Sequence, residues 1–161
     1  MTRAPGLAFR RGRPADAGAV ARVMSAAIRA SARAGLPPAT VAAWSSLPPL
    51  YHRWAMTPGA GGETYLLALR GGRVAGYAAL RGRELTAMFV HPRHAGHGLG
   101  TELVRRMAGL ARKRGARTLD VLAAAGAEGF YARAGFRAQR TARVPLPGGR
   151  SLAARRMSLA L

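Results

Sequence analysis

A strand, a glycine-rich loop and a helix follow one another between residues 85 and 114, and this succession constrains the fold more than any other part of the chain. Strand-forming residues at 85–90 lead into a loop with Gly96, Gly98 and Gly100, which a helical pattern follows. Glycine lets the main chain approach a ligand closely, and a helix N-terminus offers free N–H groups and a positive dipole end. The succession therefore predicts that a phosphorylated small molecule binds at the start of this helix.

The spacing of the glycines excludes two common phosphate-binding motifs. The dinucleotide fingerprint G-x-G-x-x-G, counted from Gly96 or from Gly98, ends on Thr101 or Leu103 instead of glycine. A P-loop requires Gly-Lys-Ser/Thr, and the single lysine of the sequence, Lys113, lies near the end of the helix. The loop is therefore expected to bind a different class of phosphorylated ligand.

Length, hydrophobic content and the absence of cysteine indicate a small globular protein. With 161 residues, of which 49% are hydrophobic, the chain can bury a core, and residues 1–161 are expected to form a single domain. No apolar run approaches the roughly 20 residues of a membrane span, and no apolar signal-peptide core follows Met1. The absence of cysteine excludes disulfides and thiolate chemistry. We therefore expect a cytoplasmic protein without a membrane partner.

The formal net charge of +20 raises nucleic-acid binding as an alternative function. The basic residues, however, are nearly all arginine and are scattered from Arg3 to Arg156, and aromatic residues make up only 6% of the chain. Sequence-independent nucleic-acid binders combine a concentrated basic patch with aromatic side chains. We therefore expect no specific nucleic-acid partner, although the positive field would attract a polyanionic ligand.

The hydrophobic pattern along the chain predicts an alternation of strands and helices. Strands are predicted at residues 7–10, 64–69, 74–80, 84–90, 117–122, 136–144 and 151–159. Helices are predicted from residue 14 to Gly35, at 37–44, at 48–54, at 99–114 and at 126–134. Because the fourth helix crosses between the strands at 84–90 and 117–122, these two strands are expected to be parallel.

A second motif, F-Y-x-x-x-G-F, follows the glycine loop at residues 130–136. Together the two motifs resemble the GNAT superfamily of acyl-CoA-dependent N-acetyltransferases. The resemblance implies an α/β fold with a central mixed, mostly antiparallel sheet of about seven strands flanked by helices. It also implies acetyl-CoA as co-substrate, no metal, and a small-molecule or peptide amine as the acceptor.

The resemblance carries the CoA-binding role of this family onto one strand end and one loop. Main-chain N–H groups of the loop hold the CoA pyrophosphate in this family, and the strand end offers backbone groups to the pantetheine arm. The residues with these implied roles are Met88, Phe89, Val90, Gly96, His97, Gly98, Leu99, Gly100 and Thr101. Two features depart from the family: Ala95 stands where arginine or glutamine is usual, and residues 123–127 lack an asparagine common in relatives.

Tyr131, the tyrosine of the second motif, is the candidate general acid. Aminolysis of a thioester expels a thiolate that needs a proton, and a phenol with an ordinary pKa of about 10 can supply it. The matching tyrosine has this role in the family. The alternative is that Phe130 and Tyr131 only pack the short helix that carries them.

Glu84 is the candidate general base, since the attacking amine must lose a proton. It opens the strand that leads to the loop, and strict alternation places it on the same face as Thr86, Met88 and Val90. Asp120 on the neighbouring strand and His52 are alternative bases, as is a relay of water without a dedicated side chain.

Four aromatic residues precede the second strand and have two interpretations: Trp44, Tyr51, His52 and Trp54. They could line a pocket for an aromatic or apolar amine, or they could pack two short helices. A non-catalytic acyl-CoA-binding regulator is the alternative to an enzyme, but it would not require Tyr131. The oligomeric state is left open, with a homodimer as one alternative.

Overall fold

The computed structural model describes residues 6–31 and 35–161, in which seven strands form one sheet. The strands are β1 (Leu7–Arg11), β2 (Thr64–Arg70), β3 (Arg73–Arg81), β4 (Glu84–Val90), β5 (Thr118–Ala124), β6 (Arg137–Pro145) and β7 (Ser151–Ala160). Their spatial order is β1-β2-β3-β4-β5-β7-β6. Every neighbouring pair is antiparallel except β4 and β5, which are parallel as predicted. The mixed, mostly antiparallel sheet of the expected fold is therefore confirmed.

Five α-helices flank the sheet. They are α1 (Ala17–Ser31), α2 (Pro38–Trp44), α3 (Pro49–Met56), α4 (Leu99–Lys113) and α5 (Glu128–Arg133). Proline at the first position starts α2 and α3, where the missing N–H costs nothing. The helix predicted from residue 14 begins as a 3-10 turn, Pro14–Asp16. The part of this predicted helix at residues 32–34 lies outside the described residues.

Two hydrophobic clusters cover the two faces of the sheet. On one face, α4 and α5 pack through buried residues that include Leu99, Leu103, Met107 and Tyr131. On the other face, α1, α2 and α3 pack through buried residues that include Val20, Val23, Ile28, Val41 and Ala55. Burial of both sheet faces explains why β3 is apolar along most of its length. None of the helices in the described part of the chain is long and apolar enough to span a membrane.

A β-bulge at Thr86 interrupts the alternation of β4. Ala79 of β3 pairs with Ala87 while Leu80 pairs with Leu85, so Thr86 is an extra residue that has no partner on β3. The bulge reverses which residues point to each face. Leu85, Met88 and Val90 all pack with the α4 cluster, whereas Ala87 and Phe89 pack with the α1 cluster. The prediction that Glu84 shares a face with Met88 and Val90 is therefore wrong, because strict alternation does not hold across the bulge.

The parallel seam between β4 and β5 is only two residue pairs long. Glu84 is in register with Asp120 and Leu85 with Val121, and no further pair follows along the two strands. Beyond Leu85 the strands part, so β4 pairs only with β3 there. The end of β4 therefore faces a gap in the sheet that leads toward the glycine loop.

Candidate active site

A cleft of about 550 Å³ lies where β4 and β5 part. Residues of the predicted sites meet in it, since Glu84, Met88, Phe89 and Tyr131 all line the cleft. One wall comes from β5 and α5, and the other from the segment that holds α2 and α3. The structure thus brings the proposed acid, the proposed base and the end of β4 to a single cavity.

The glycine loop presents free main-chain N–H groups at the start of α4. Gly96 and Gly98 have φ angles of +79° and +78°, and a Cβ atom added to either would meet nothing within 4 Å. In the described part of the chain, the N–H groups of residues 96–101 donate to no protein acceptor, and the first that does is Glu102, to Gly98 O at 3.1 Å. Unpaired N–H groups at a helix N-terminus fit an anionic diphosphate such as that of CoA.

Gly100 differs from the other two glycines of the loop because its role is packing. A Cβ atom there would lie 3.3 Å from the Phe130 ring and 3.5 Å from Met88 Cε. Gly100 therefore lets α4 approach α5 and the end of β4 closely. Ala95, at the departure from the family pattern, is exposed beside the loop, and its carbonyl oxygen lies 2.8 Å from His97 Nδ1.

Tyr131 is buried at the wall of the cleft, with 5% of its surface exposed. Its ring makes edge contacts with Phe130 and Phe136, at centroid distances of 5.1 and 5.3 Å. Burial raises the pKa of the Tyr131 phenol above its ordinary value, so the phenol is protonated and neutral at physiological pH. Among the described residues, no hydrogen-bond partner engages its hydroxyl, which is the condition for donating to a substrate.

The carboxylates of Glu84 and Asp120 differ in their surroundings. Asp120 is buried, lies 3.0 Å from Arg83 and 3.4 Å from Arg156, and accepts a hydrogen bond from Ser158 at 2.7 Å. Asp120 therefore holds β5 to its neighbours, and it does not line the cleft. Glu84 lines the cleft, is 42% exposed at its side chain and has a looser contact of 3.5 Å with Arg156.

Glu63 is a cleft residue that the sequence analysis missed. It immediately precedes β2, is 7% exposed, and accepts hydrogen bonds from Arg81 and from Thr86 at 2.5 Å each. Thr86 is the bulge residue of β4, so this contact ties the start of β2 to the bulge. The available signal was scarcity: the chain has six acidic residues, and an acid directly before a buried strand is unusual among them.

His52 is buried between two tyrosines of the sheet. It is 2% exposed, and its Nδ1 lies 3.1 Å from the hydroxyl of Tyr65. Its Nε2 and the hydroxyl of Tyr77 are buried without a hydrogen-bond partner in the described part of the chain. Burial lowers the pKa of His52 to about 4, so the imidazole is neutral at physiological pH. A base with so low a pKa holds a proton poorly, which argues against His52 as the general base.

The other aromatic residues of this segment have different surroundings. Trp44 and Tyr51 line the cleft, and Trp44 makes an edge contact with Phe89 at a centroid distance of 6.0 Å. Trp54 is 51% exposed and does not line the cleft. The pocket interpretation therefore applies to Trp44, Tyr51 and His52 but not to Trp54.

The low pKa of His52 makes the stability of the fold pH-dependent. Unfolding returns the pKa from about 4 to 6.5, so the unfolded chain binds more protons between these values and stability falls as pH falls from 6.5 to 4. The expected loss is about 3 kcal/mol, at about 1.4 kcal/mol for each pKa unit. Urea unfolding at pH 7, 5.5 and 4 measures it.

His52→Asn is the matched variant for this measurement. It removes the titrating group, so the loss between pH 6.5 and 4 should shrink relative to the wild type, whatever its effect at pH 7. An equal loss in both proteins would assign the pH dependence to other groups, such as His91, whose pKa burial also lowers.

Comparisons with known proteins identify the family and the fold of the chain. Residues 27–136 match the model of the acetyltransferase (GNAT) family. A GCN5-related N-acetyltransferase from Rhodopseudomonas palustris is similar in structure, with a TM-score of 0.87, 28% identity and coverage of 100% of this chain and 99% of that one. No protein of curated function matches the chain in sequence.

Two further solved structures have the same fold and contain the expected ligand. The PaiA N-acetyltransferase from Thermoplasma acidophilum, in complex with coenzyme A, has a TM-score of 0.75 and 12% identity, covering 96% of this chain and 99% of that one. The yncA protein from Salmonella typhimurium, with its cofactor acetyl-CoA, has a TM-score of 0.71 and 22% identity, covering 97% and 94%. Because the family model matches residues 27–136, which are most of the chain, the chain belongs to the acetyltransferase (GNAT) family.

Proposed function

We propose that this protein transfers an acetyl group from acetyl-CoA to a primary amine by direct transfer in a ternary complex. The observation that carries the proposal is the cleft, which joins the end of β4 to Tyr131 and Glu84. The free N–H groups of residues 96–101 would hold the pyrophosphate, and the unpaired edge of β4 at Met88, Phe89 and Val90 would bind the pantetheine arm. A chain without cysteine has no thiol to carry an acyl-enzyme, which favours direct transfer.

The chemistry needs two proton transfers, for which the cleft offers two groups. Acetyl-CoA supplies an acetyl thioester, and the amine nitrogen forms a bond to the carbonyl carbon as the bond from carbon to sulfur breaks. Tyr131 donates its proton to the departing sulfur. Glu84 accepts the proton that the amine nitrogen loses, directly or through water, and that proton later returns to Tyr131 through solvent, so that both groups are restored.

Glu84 suits the role of base better than Glu63. Both oxygens of Glu63 already accept short hydrogen bonds, from Arg81 and from Thr86. Among the described residues, the Glu84 carboxylate has one ionic contact, with Arg156 at 3.5 Å, so it retains lone pairs that can accept a proton. Its position beside the seam also places it next to the point where β4 and β5 part.

Release of free thiol from acetyl-CoA in the presence of a panel of primary amines tests the proposed activity.

Glu84→Gln should lower kcat by about 100-fold or more, because it removes a positioned base but keeps the side-chain shape. Glu128→Gln is the matched control, since Glu128 is half-exposed, pairs with Arg155 at 3.6 Å and lies outside the cleft. An unchanged kcat in Glu84→Gln would leave a water relay as the base. Binding of CoA without turnover of any amine would instead favour a non-catalytic regulator.

A further inference from the structure

Arg156 of β7 joins the two carboxylates that face each other across the seam between β4 and β5. Glu84 and Asp120 are in register there, so their side chains lie on the same face of the sheet. Arg156 Nη1 lies 3.5 Å from Glu84 Oε1, and Arg156 Nη2 lies 3.4 Å from Asp120 Oδ2. Like charges on neighbouring strands repel each other, and a guanidinium in contact with both carboxylates offsets that repulsion.

Asp120 is the fixed member of this group. Its side chain is 5% exposed, and its Oδ1 accepts a hydrogen bond from Ser158 at 2.7 Å while its Oδ2 lies 3.0 Å from Arg83 Nε. Burial and contacts on both oxygens leave this carboxylate little freedom, so it fixes the guanidinium of Arg156 in turn. The Glu84 side chain, which is 42% exposed, therefore has a stationary cation beside it.

The other cations near Glu84 are engaged elsewhere. Arg81 is opposite Glu84 on β3, but its guanidinium pairs with Glu63. Arg83, directly before Glu84, pairs with the carboxylate of β5. In the described part of the chain, Arg156 is the one cation in ionic contact with Glu84, and it does not line the cleft. Arg156 can therefore affect a reaction in the cleft through Glu84 but not through contact with a substrate.

The contact between Arg156 and Glu84 is looser than a hydrogen-bonded ion pair. Glu102 of α4 shows the opposite case, since hydrogen bonds from Arg105 at 2.7 and 2.8 Å, and another from Arg106 at 2.6 Å, lower its pKa to about 2. So weak a base accepts a proton poorly. At 3.5 Å, and with its charge shared between two carboxylates, Arg156 favours the ionised form of Glu84 without occupying the lone pairs that take up a proton.

We propose that Arg156 is a positioning residue that holds the Glu84 carboxylate, and keeps it ionised, beside the cleft, and that Asp120 acts through Arg156. This inference rests on the proposed function, because it assigns partners to the base of that reaction. Without the Arg156 cation, the charge of Asp120 would no longer be offset at Glu84, which favours the protonated form of Glu84. Without the Asp120 carboxylate, the whole charge of Arg156 would act on Glu84, which favours the ionised form. The two losses should therefore have opposite effects on Glu84.

Carbon-13 NMR of the glutamate carboxyl groups measures the ionisation of Glu84 directly, because the chain has four glutamates and Glu84→Gln assigns the signal. Relative to the wild type, the midpoint of the Glu84 titration should move to higher pH in Arg156→Gln and to lower pH in Asp120→Asn, by about half a pH unit to one unit. A merely structural role of either residue would not give shifts of opposite sign. No shift in Arg156→Gln, or shifts of the same sign in both variants, would overturn the inference. Should Arg156→Gln fail to fold, a shift to lower pH in Asp120→Asn supports the inference and no shift there overturns it.

Turnover tests the positioning role of Arg156 in the reaction. Arg156→Gln should lower kcat about tenfold and leave the calorimetric affinity for acetyl-CoA unchanged, because Glu84 loses the contact that orients it. Arg156→Lys keeps the positive charge and should lose less, about threefold. Arg155→Gln is the matched control, because Arg155 precedes Arg156 in β7 and pairs with Glu128 of α5 at 3.6 Å, outside the cleft. A wild-type kcat in Arg156→Gln, or a loss as large in Arg155→Gln or in Arg156→Lys, would overturn the inference.

The two measurements separate this inference from the proposed function. If the Glu84 titration shifts as expected in both variants but no amine releases thiol from acetyl-CoA, the proposed activity is wrong and the effect of Arg156 on Glu84 is supported. If amines do release thiol and Glu84→Gln lowers kcat, yet Arg156→Gln changes neither kcat nor the titration, the proposed function is supported and the inference is overturned.

Discussion

Replacing Tyr131 by phenylalanine is expected to lower kcat by about 10²- to 10⁴-fold, the range that a positioned general acid contributes. The substitution keeps the ring that packs against Phe130 and Phe136 and removes only the hydroxyl. Because that hydroxyl has no hydrogen-bond partner among the described residues, its loss should leave the fold intact. The thiolate would then have to take its proton from water, which is poorly placed to supply it.

The affinity for acetyl-CoA is the control for Tyr131→Phe. Proton donation to the departing sulfur occurs chiefly in the transition state, so kcat and kcat/KM should fall together while calorimetric affinity stays near the wild-type value. A wild-type kcat would make Tyr131 a packing residue only. A lost affinity with unchanged kcat would make it a binding residue.

Gly98→Val is expected to lower CoA affinity by about 100-fold or more and to leave the fold intact. Gly98 has a φ of +78°, which a β-branched residue cannot adopt without strain, so the loop must change its path. Its N–H groups would then no longer point together at the pyrophosphate. Two lost charge-assisted hydrogen bonds, at about 1.5 kcal/mol each, correspond to this factor.

Gly72→Val is the matched control for backbone strain. Gly72 has a φ of +79° in the turn between β2 and β3, and a Cβ atom there also meets nothing within 4 Å. Both variants should therefore lose similar stability, while only Gly98→Val loses CoA affinity in calorimetry. Unchanged CoA affinity in a folded Gly98→Val protein would remove the glycine loop from the binding site.

Much of the fold could be predicted because its elements are local patterns. β4 has the predicted bounds, and α4 ends one residue before its predicted end. The bulge at Thr86 could not be predicted, because an extra residue in one strand depends on pairing with β3 and leaves no mark in the order of apolar and polar residues. The prediction of the sheet face on which Glu84 lies was wrong for the same reason.

The candidate site was predicted in part for a related reason. Tyr131 and the glycine loop belong to contiguous motifs, whereas Glu63 reaches the site through a turn before β2 and a contact with Thr86. Because Glu63 reaches the cleft through a long-range contact, its only mark in the sequence is that of a scarce acid directly before a buried strand. The sequence also could not show whether Trp44 and Trp54 line a pocket or pack the short helices, because only tertiary packing determines which ring faces the cleft.

The short seam between β4 and β5 also bears on the order in which the chain folds. The pairings of β2, β3 and β4 join neighbours in sequence, as does the pairing of β6 with β7, and such local contacts form early. The seam joins the two halves of the sheet through two residue pairs only, across the length of α4. We therefore expect each half to assemble separately and the seam to close late. A ligand in the cleft would contact both halves, and it would slow unfolding by keeping them docked.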